Sequence, residues 1–111
     1  MKMNEHLLTV GLFDKDSEKQ EITTEAAKNL IAEMLIGRFN IYAFTMIDCN
    51  GVYRMESTGA IVKEPSIRIE IAASADDLDR ETVYRIIKAL KTELNQESIM
   101  YKVVESEIDF A

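Results

Sequence analysis

The sequence is sparing with the residues that usually announce a chemistry. Its 111 residues hold one cysteine, one proline, one histidine, four glycines and no tryptophan. Because Cys49 is the only cysteine, no intramolecular disulfide can form, and beside a turn-rich segment it reads as a small apolar side chain before it reads as a reactive thiol. A zinc site of the usual kind lacks ligands. A Cys–His nucleophilic pair would require His6 to meet Cys49 across the fold. The four glycines are scattered, so no glycine-rich phosphate loop is present. No apolar run approaches the roughly 18 residues of a membrane span. Positive charge is also scarce: 13 Lys and Arg stand against 20 Asp and Glu, a formal charge of −7. That balance argues against nucleic-acid binding by phosphate neutralisation and against docking to an anionic membrane.

What remains is the composition of a soluble globular domain, 47% apolar and 30% charged. The N-terminal stretch MKMNEHLLTVGLF has a short apolar run broken by Glu5 and His6, which reads as a strand and not as a signal peptide. The expectation is a cytoplasmic protein.

Residues 5–13 alternate, with His6, Leu8, Val10 and Leu12 on one face and Leu7, Thr9, Gly11 and Phe13 on the other. Residues 14–21 form a charged connection. Asp14, Asp16 and Glu18 have the spacing that opens a calcium loop, but the required glycine and distant glutamate are missing, so the loop reads as solvated. Thr23 or Thr24 caps a helix with Glu25 in its first turn, the stripe Ala27, Leu30, Ile31, Met34 and Leu35, and Gly37 as its expected stop.

Residues 41–47 and 66–73 have the strongest strand composition. In the first, Ile41, Ala43, Thr45 and Ile47 share a face, opposite Tyr42, Phe44 and Met46. Asn50-Gly51 is a strong hairpin signal and predicts a turn at 48–51, with 52–55 as a short return arm and a second turn at 56–59. In the second, Ile67, Ile69 and Ile71 alternate with Arg68, Glu70 and Ala72. Asp76, Asp77 and Asp79 read as caps of a second helix and not as metal ligands. Its stripe is Val83, Ile86, Ile87, Leu90 and Leu94, its solvated side includes Arg80, Arg85, Lys88 and Lys91, and Asn95 is its stop. A last strand at 98–104 precedes an acidic tail.

The order β-α-β-β-α-β predicts one α+β domain over residues 1–111 with the ferredoxin-like fold. This is a four-stranded antiparallel sheet with two helices on one face and an extra hairpin between strands two and three. Right-handed crossovers place the first and third strands centrally. The isoleucine face meets the helices. The other face is expected to expose Tyr42, Phe44, Met46, Arg68, Glu70, Met100, Lys102 and Val104, too apolar for water alone, which predicts homo-oligomerisation through the open sheet face.

Val10-Gly11-Leu12-Phe13, Thr23-Thr24-Glu25, Val62-Lys63-Glu64-Pro65-Ser66 and Asn95-Gln96-Glu97-Ser98-Ile99 together resemble a family of small bacterial domains of unknown function. Those domains share a Gly-Leu start, a Lys- or Arg-Glu-Pro-Ser before the third strand and a Gln-Glu-Ser before the last. The resemblance spans nearly the whole chain, departs from the family at residues 52–61, and implies a fold without a reaction. More distantly, the element order is similar to that of the PII and CutA trimers, without a ligand motif of either.

For function, the sequence favours an oligomeric ligand-binding or regulatory module that uses residues 48–65 and the clefts between subunits. Tyr53 is suited to stack on a ring, and Arg54, Lys63 and Arg68 to neutralise a small anionic ligand. The plainer alternative packs Tyr53 and pairs the three cations with Glu56, Glu64 and Glu70. A small enzyme is the second reading, with Glu70 as a proton acceptor in a sheet-lined cavity. A third is an interaction module whose open sheet receives a different protein. No cofactor and no metal are expected.

Overall fold

The alternation Ile67-Ile69-Ile71 sets which face of the sheet is buried, because a strand with one wholly apolar face has only one register that keeps it dry. A computed structural model describes residues 1–111 and places all three isoleucines in the core, each no more than 2% exposed. The elements are β1 (Lys2–Gly11), α1 (Thr24–Phe39), β2 (Thr45–Arg54), β3 (Ile61–Ala73), α2 (Arg80–Glu93) and β4 (Met100–Glu107). The sheet runs β2-β3-β1-β4 with every neighbour antiparallel, which is the ferredoxin-like arrangement. Leu8 and Val10 continue the isoleucine face on β1, and Leu12 extends it just past the strand. Ala27, Ile31, Met34 and Leu35 of α1 and Val83, Ile86 and Leu90 of α2 close over it. No helix is long and apolar enough to cross a membrane.

Local signals set the helix ends. The Thr23 hydroxyl accepts the Ala26 N–H at 3.1 Å, and an Asp79 carboxylate oxygen accepts the Thr82 N–H at 2.7 Å, so each helix has a side-chain N-cap. The Thr82 contacts hold the Asp79 carboxyl below the usual carboxylate range. Gly37 does not end α1. The helix runs on to Phe39, whose half-buried ring packs on the core, and Asn40 takes the left-handed conformation at φ 56°. Asparagine tolerates that conformation, and an apolar anchor in the last turn outweighs the lower helix propensity of a glycine.

Two expectations about the 41–55 stretch are corrected. Asn50-Gly51 is not a turn: β2 runs straight through it, with Asn50 opposite Pro65 and Gly51 opposite Glu64. The reversal comes at the second predicted turn, where Met55 N–H donates to the Ala60 carbonyl and Gly59 supplies φ 71°. The extra hairpin is therefore β2 and β3 themselves, extended past the end of β1 as a two-stranded arm. The facing of β2 is also reversed. Met46 lies opposite Ile69 and packs with Phe44 against the helix side, while Thr45 and Ile47 join Arg68 and Glu70 on the open face. Tyr42 precedes the strand and is exposed.

His6 extends the buried row of β1 and is 1% exposed. Its Nδ1 lies 2.7 Å from the Tyr101 hydroxyl, and its buried Nε2 makes no hydrogen bond. Burial pushes the imidazole below its ordinary value; the Arg80 charge adds to this and the Leu78 carbonyl opposes it. A folded-state value below the unfolded one means that the unfolded chain takes up the proton first as pH falls. This contribution to stability is intact above pH 6.5 and is lost as pH drops beneath it. Urea unfolding between pH 7.5 and about 5, above most carboxylate titration, is expected to show wild-type stability falling below pH 6.5, with a flatter profile in His6→Leu. Equal slopes in the two proteins would contradict the assignment.

Candidate functional site

Where the arm runs past the end of β1, two glycines lie on the open side of the sheet. Gly51 faces Glu64 across the β2–β3 ladder, and a Cβ there would sit 3.4 Å from the Ser66 hydroxyl. Gly11 faces Ser66 across the β1–β3 ladder, and the Glu64 carboxylate lies directly over it, inside the space a Cβ would need. Glycine at 11 is thus a matter of close approach.

Glu64 does not rest there passively. Its Oε2 accepts the Phe13 N–H at 2.8 Å, just beyond β1, while the Pro65 carbonyl accepts the Leu12 N–H at 2.9 Å. The Phe13 carbonyl, in the next peptide group, is held as well: the Gln96 amide, 7% exposed, donates to it at 2.7 Å. Asn95, left-handed at the end of α2, donates from Nδ2 to Asp14 and Asp16 at 2.8 Å each, and its carbonyl accepts the Lys15 N–H at 3.0 Å. The Asn95 amide, with the Ser17 and Asp16 N–H groups, holds the Asp14 carboxyl below its ordinary value. Three separate stretches thus meet at one corner: Gly11–Phe13, Glu64–Ser66 and Asn95-Gln96.

Tyr53 stands beside this corner on the open face, opposite Val62 and 45% exposed. Partial desolvation raises its phenol above the usual value, and the negative charges of Glu64 and Glu18 raise it further. The corner is therefore a fixed carboxylate, a second carboxylate in reach and an aromatic ring. That combination suits a positively charged or hydrogen-bond-donating group far better than an anion.

The five residues singled out from sequence do not share one site. Tyr53 lies by Glu64. Arg68 and Glu70 sit further along the open face and pair with each other at 3.1 Å. Arg54 and Lys63 fall on the opposite side of the arm by strand alternation, Arg54 turning toward the tip near Gly59. Glu70 also borders an apolar groove of about 590 Å³ with Glu5, Ile36, Phe44 and Phe110. Cys49 is mid-strand, opposite Ser66, and free. No group of three or more His, Cys, Asp or Glu side chains is placed to hold a metal ion. Sequence reasoning missed Glu64, treating it as a counter-ion. The available signal was that Gly-Leu-Phe, Glu-Pro-Ser and Asn-Gln had each been marked as a motif, and motif segments far apart in sequence often converge.

Replacing Gly11 by alanine must move the Glu64 carboxylate off the Phe13 N–H. Because the displaced group is the end of a flexible side chain, the expected cost is that of one hydrogen bond, about 1 kcal/mol. The cost is expected to shrink toward zero in a Glu64→Ala background, since the clash is gone. A denaturant-based double-mutant cycle checks this, and additive costs would show that Gly11 and Glu64 do not interact.

No curated protein sequence matches the chain. Among solved structures, a phage SAM lyase in complex with S-methyl-5′-thioadenosine superposes with a TM-score of 0.67 at 22% identity, covering 93% of this chain and 81% of the lyase. A GlnK–ATP complex from B. subtilis gives 0.62 at 12% identity, with 95% and 82% covered. CutA from Synechococcus elongatus gives 0.61 at 13%, with 95% and 77% covered. At these identities the likeness is one of fold, and it agrees with the PII- and CutA-like order read from the sequence. A family model described as "Protein of unknown function (DUF3574)" matches residues 5–110, and the chain belongs to that family.

Proposed function

We propose that this protein is a homo-oligomeric small-molecule-binding module whose ligand sits at the base of the β2–β3 arm, on Glu64 and Tyr53, against a wall supplied by a second copy. The observation that carries this reading is the immobilised Glu64 carboxylate: Phe13 N–H fixes Oε2, whereas Oε1 makes no hydrogen bond. A charged group held in this way is pre-organised for a partner.

The second copy follows from what the surface leaves uncovered. Ile47, Tyr53 and Met100 on the open face are between 43% and 63% exposed, and Val52 and Ile61 on the other side of the arm are 64% and 69% exposed. A two-stranded arm with apolar residues on both sides is not stable in water by itself and calls for a covering surface. The ligand class is suggested by the fold neighbours, two of which hold adenosine-bearing molecules, S-methyl-5′-thioadenosine and ATP. The charge at this corner separates the two. A triphosphate would face Glu64 and Glu18, while an adenosyl group attached to a sulfonium or an amine would meet the carboxylates with opposite charge. The anionic ligand expected from Arg54, Lys63 and Arg68 gives way here to a cation-bearing one.

A catalytic reading is kept as second because a lyase shares the fold and Glu64 has a free oxygen able to take a proton or stabilise a positive centre. Calorimetric titration with S-adenosylmethionine, combined with native mass spectrometry, tests both. The expected result is a dimer or larger assembly that binds saturably, with affinity down about tenfold or more in Glu64→Gln from loss of a charge-assisted contact, and no competition by ATP. Release of S-methyl-5′-thioadenosine during the titration would favour the enzyme. A bare monomer, or equal affinity in Glu64→Gln, would overturn the proposal.

A further inference from the structure

On the helix side of Phe13 the surface has the opposite charge. A cleft of about 560 Å³ lies along the outer edge of α2, with Lys15, Tyr84, Lys88, Lys91, Asn95 and Gln96 in its wall. No carboxylate lines it, in a chain with 20 acidic residues. None of the three lysines forms an ion pair, a state shared with six other Lys and Arg side chains, so what distinguishes them is their convergence on one cleft. Asp14 and Asp16 stand behind the wall, bonded to the Asn95 amide at 2.8 Å each, and the Lys15 charge acts on Asp14.

Lys91 in the last turn of α2 is what the helix dipole favours. That accounts for neither Lys88, one turn earlier, nor Lys15, which arrives from a different segment. Lys91 is half-buried without a partner, and like charges one helical turn apart repel. A bound anion would relieve that repulsion. Tyr84 completes the wall: its ring is 59% exposed and is steadied edge-on against Tyr101, centroids 5.6 Å apart. Such a ring is free to stack on a planar group.

We infer that this cleft binds a small polyphosphate anion, either free or as the phosphate tail of a nucleotide whose base lies on Tyr84. This site adjoins the Glu64 corner through Asn95 and Gln96 but uses neither Glu64 nor Tyr53, and it does not depend on the reading given for them.

The test is calorimetric titration of the full chain with sodium pyrophosphate and with ADP at low ionic strength, with amide NMR spectra recorded alongside. Saturable binding is expected, with shifts confined to residues 13–17, the second half of α2 and residues 95–96. Affinity should fall about tenfold or more in a Lys88→Gln/Lys91→Gln variant, through loss of two charge-assisted contacts, and stay unchanged in Lys102→Gln, which removes a lysine on β4 outside the cleft. ADP binding tighter than pyrophosphate, with the gain lost in Tyr84→Ala, identifies a nucleotide; equal affinities identify the phosphate alone. Either supports the site. Absence of saturation, shifts spread equally to Lys19, Lys63 and Lys102, or undiminished affinity in the lysine variant would overturn it.

Discussion

One residue, Phe13, has its backbone gripped on both sides, and the arrangement of this end of the molecule depends on it. Its N–H goes to Glu64 at 2.8 Å and its carbonyl receives the Gln96 amide at 2.7 Å. The chain has just left β1, and the isolated bridge of Phe13 to Gln20 is bonded through a neighbour, Asp14 N–H to the Lys19 carbonyl, so side chains satisfy the N–H and carbonyl of Phe13 itself. Glu64 and Gln96 do so from β3 and from the α2–β4 connection, which ties both to the end of β1. The same contact that satisfies the backbone also fixes a carboxylate over Gly11, where only a residue without a Cβ leaves room. Structural need and chemical potential coincide in one side chain.

Phe13 also divides two electrostatic environments. On the open face stand Glu64 and the phenol of Tyr53, whose ionisation Glu64 and the charge of Glu18 oppose. Around the edge of the fold, Lys15, Lys88 and Lys91 face a cleft without acids. In a protein of net charge −7 such a separation is not a consequence of composition. It comes from where the 13–17 loop is pinned: Asn95 draws Asp14 and Asp16 together and leaves Lys15 at the cleft.

Much of the fold was legible because the signals were local and one-sided. Ile67, Ile69 and Ile71 alternate with polar neighbours, so their facing had one answer, and Thr23, Asp79 and Asn95 punctuate the helices where read. Phe44 and Met46 were placed on the wrong face because residues 41–47 are apolar on both sides, and period two alone does not choose between them; pairing of Met46 with Ile69 does. Asn50-Gly51 carries a hairpin preference, but the β3 backbone opposite it forms a continuous ladder, and that long-range pairing prevailed over a local propensity. The site was less legible still. Phe13 and Glu64 are 51 residues apart, and Phe13 and Gln96 are 83 apart, so no spacing rule joins them. Only the recurrence of their segments as motifs hinted at a shared place.

Amide hydrogen exchange at Phe13 tests the clasp most directly. Its N–H lies outside the long ladders and has the Glu64 carboxylate as its acceptor. Slow exchange in the wild type is predicted, with protection lost at Phe13 in Glu64→Ala while Leu8 and Ile69 in the core stay protected. Fast exchange at Phe13 in the wild type, or protection that survives Glu64→Ala, would show that Glu64 is not held where the account places it.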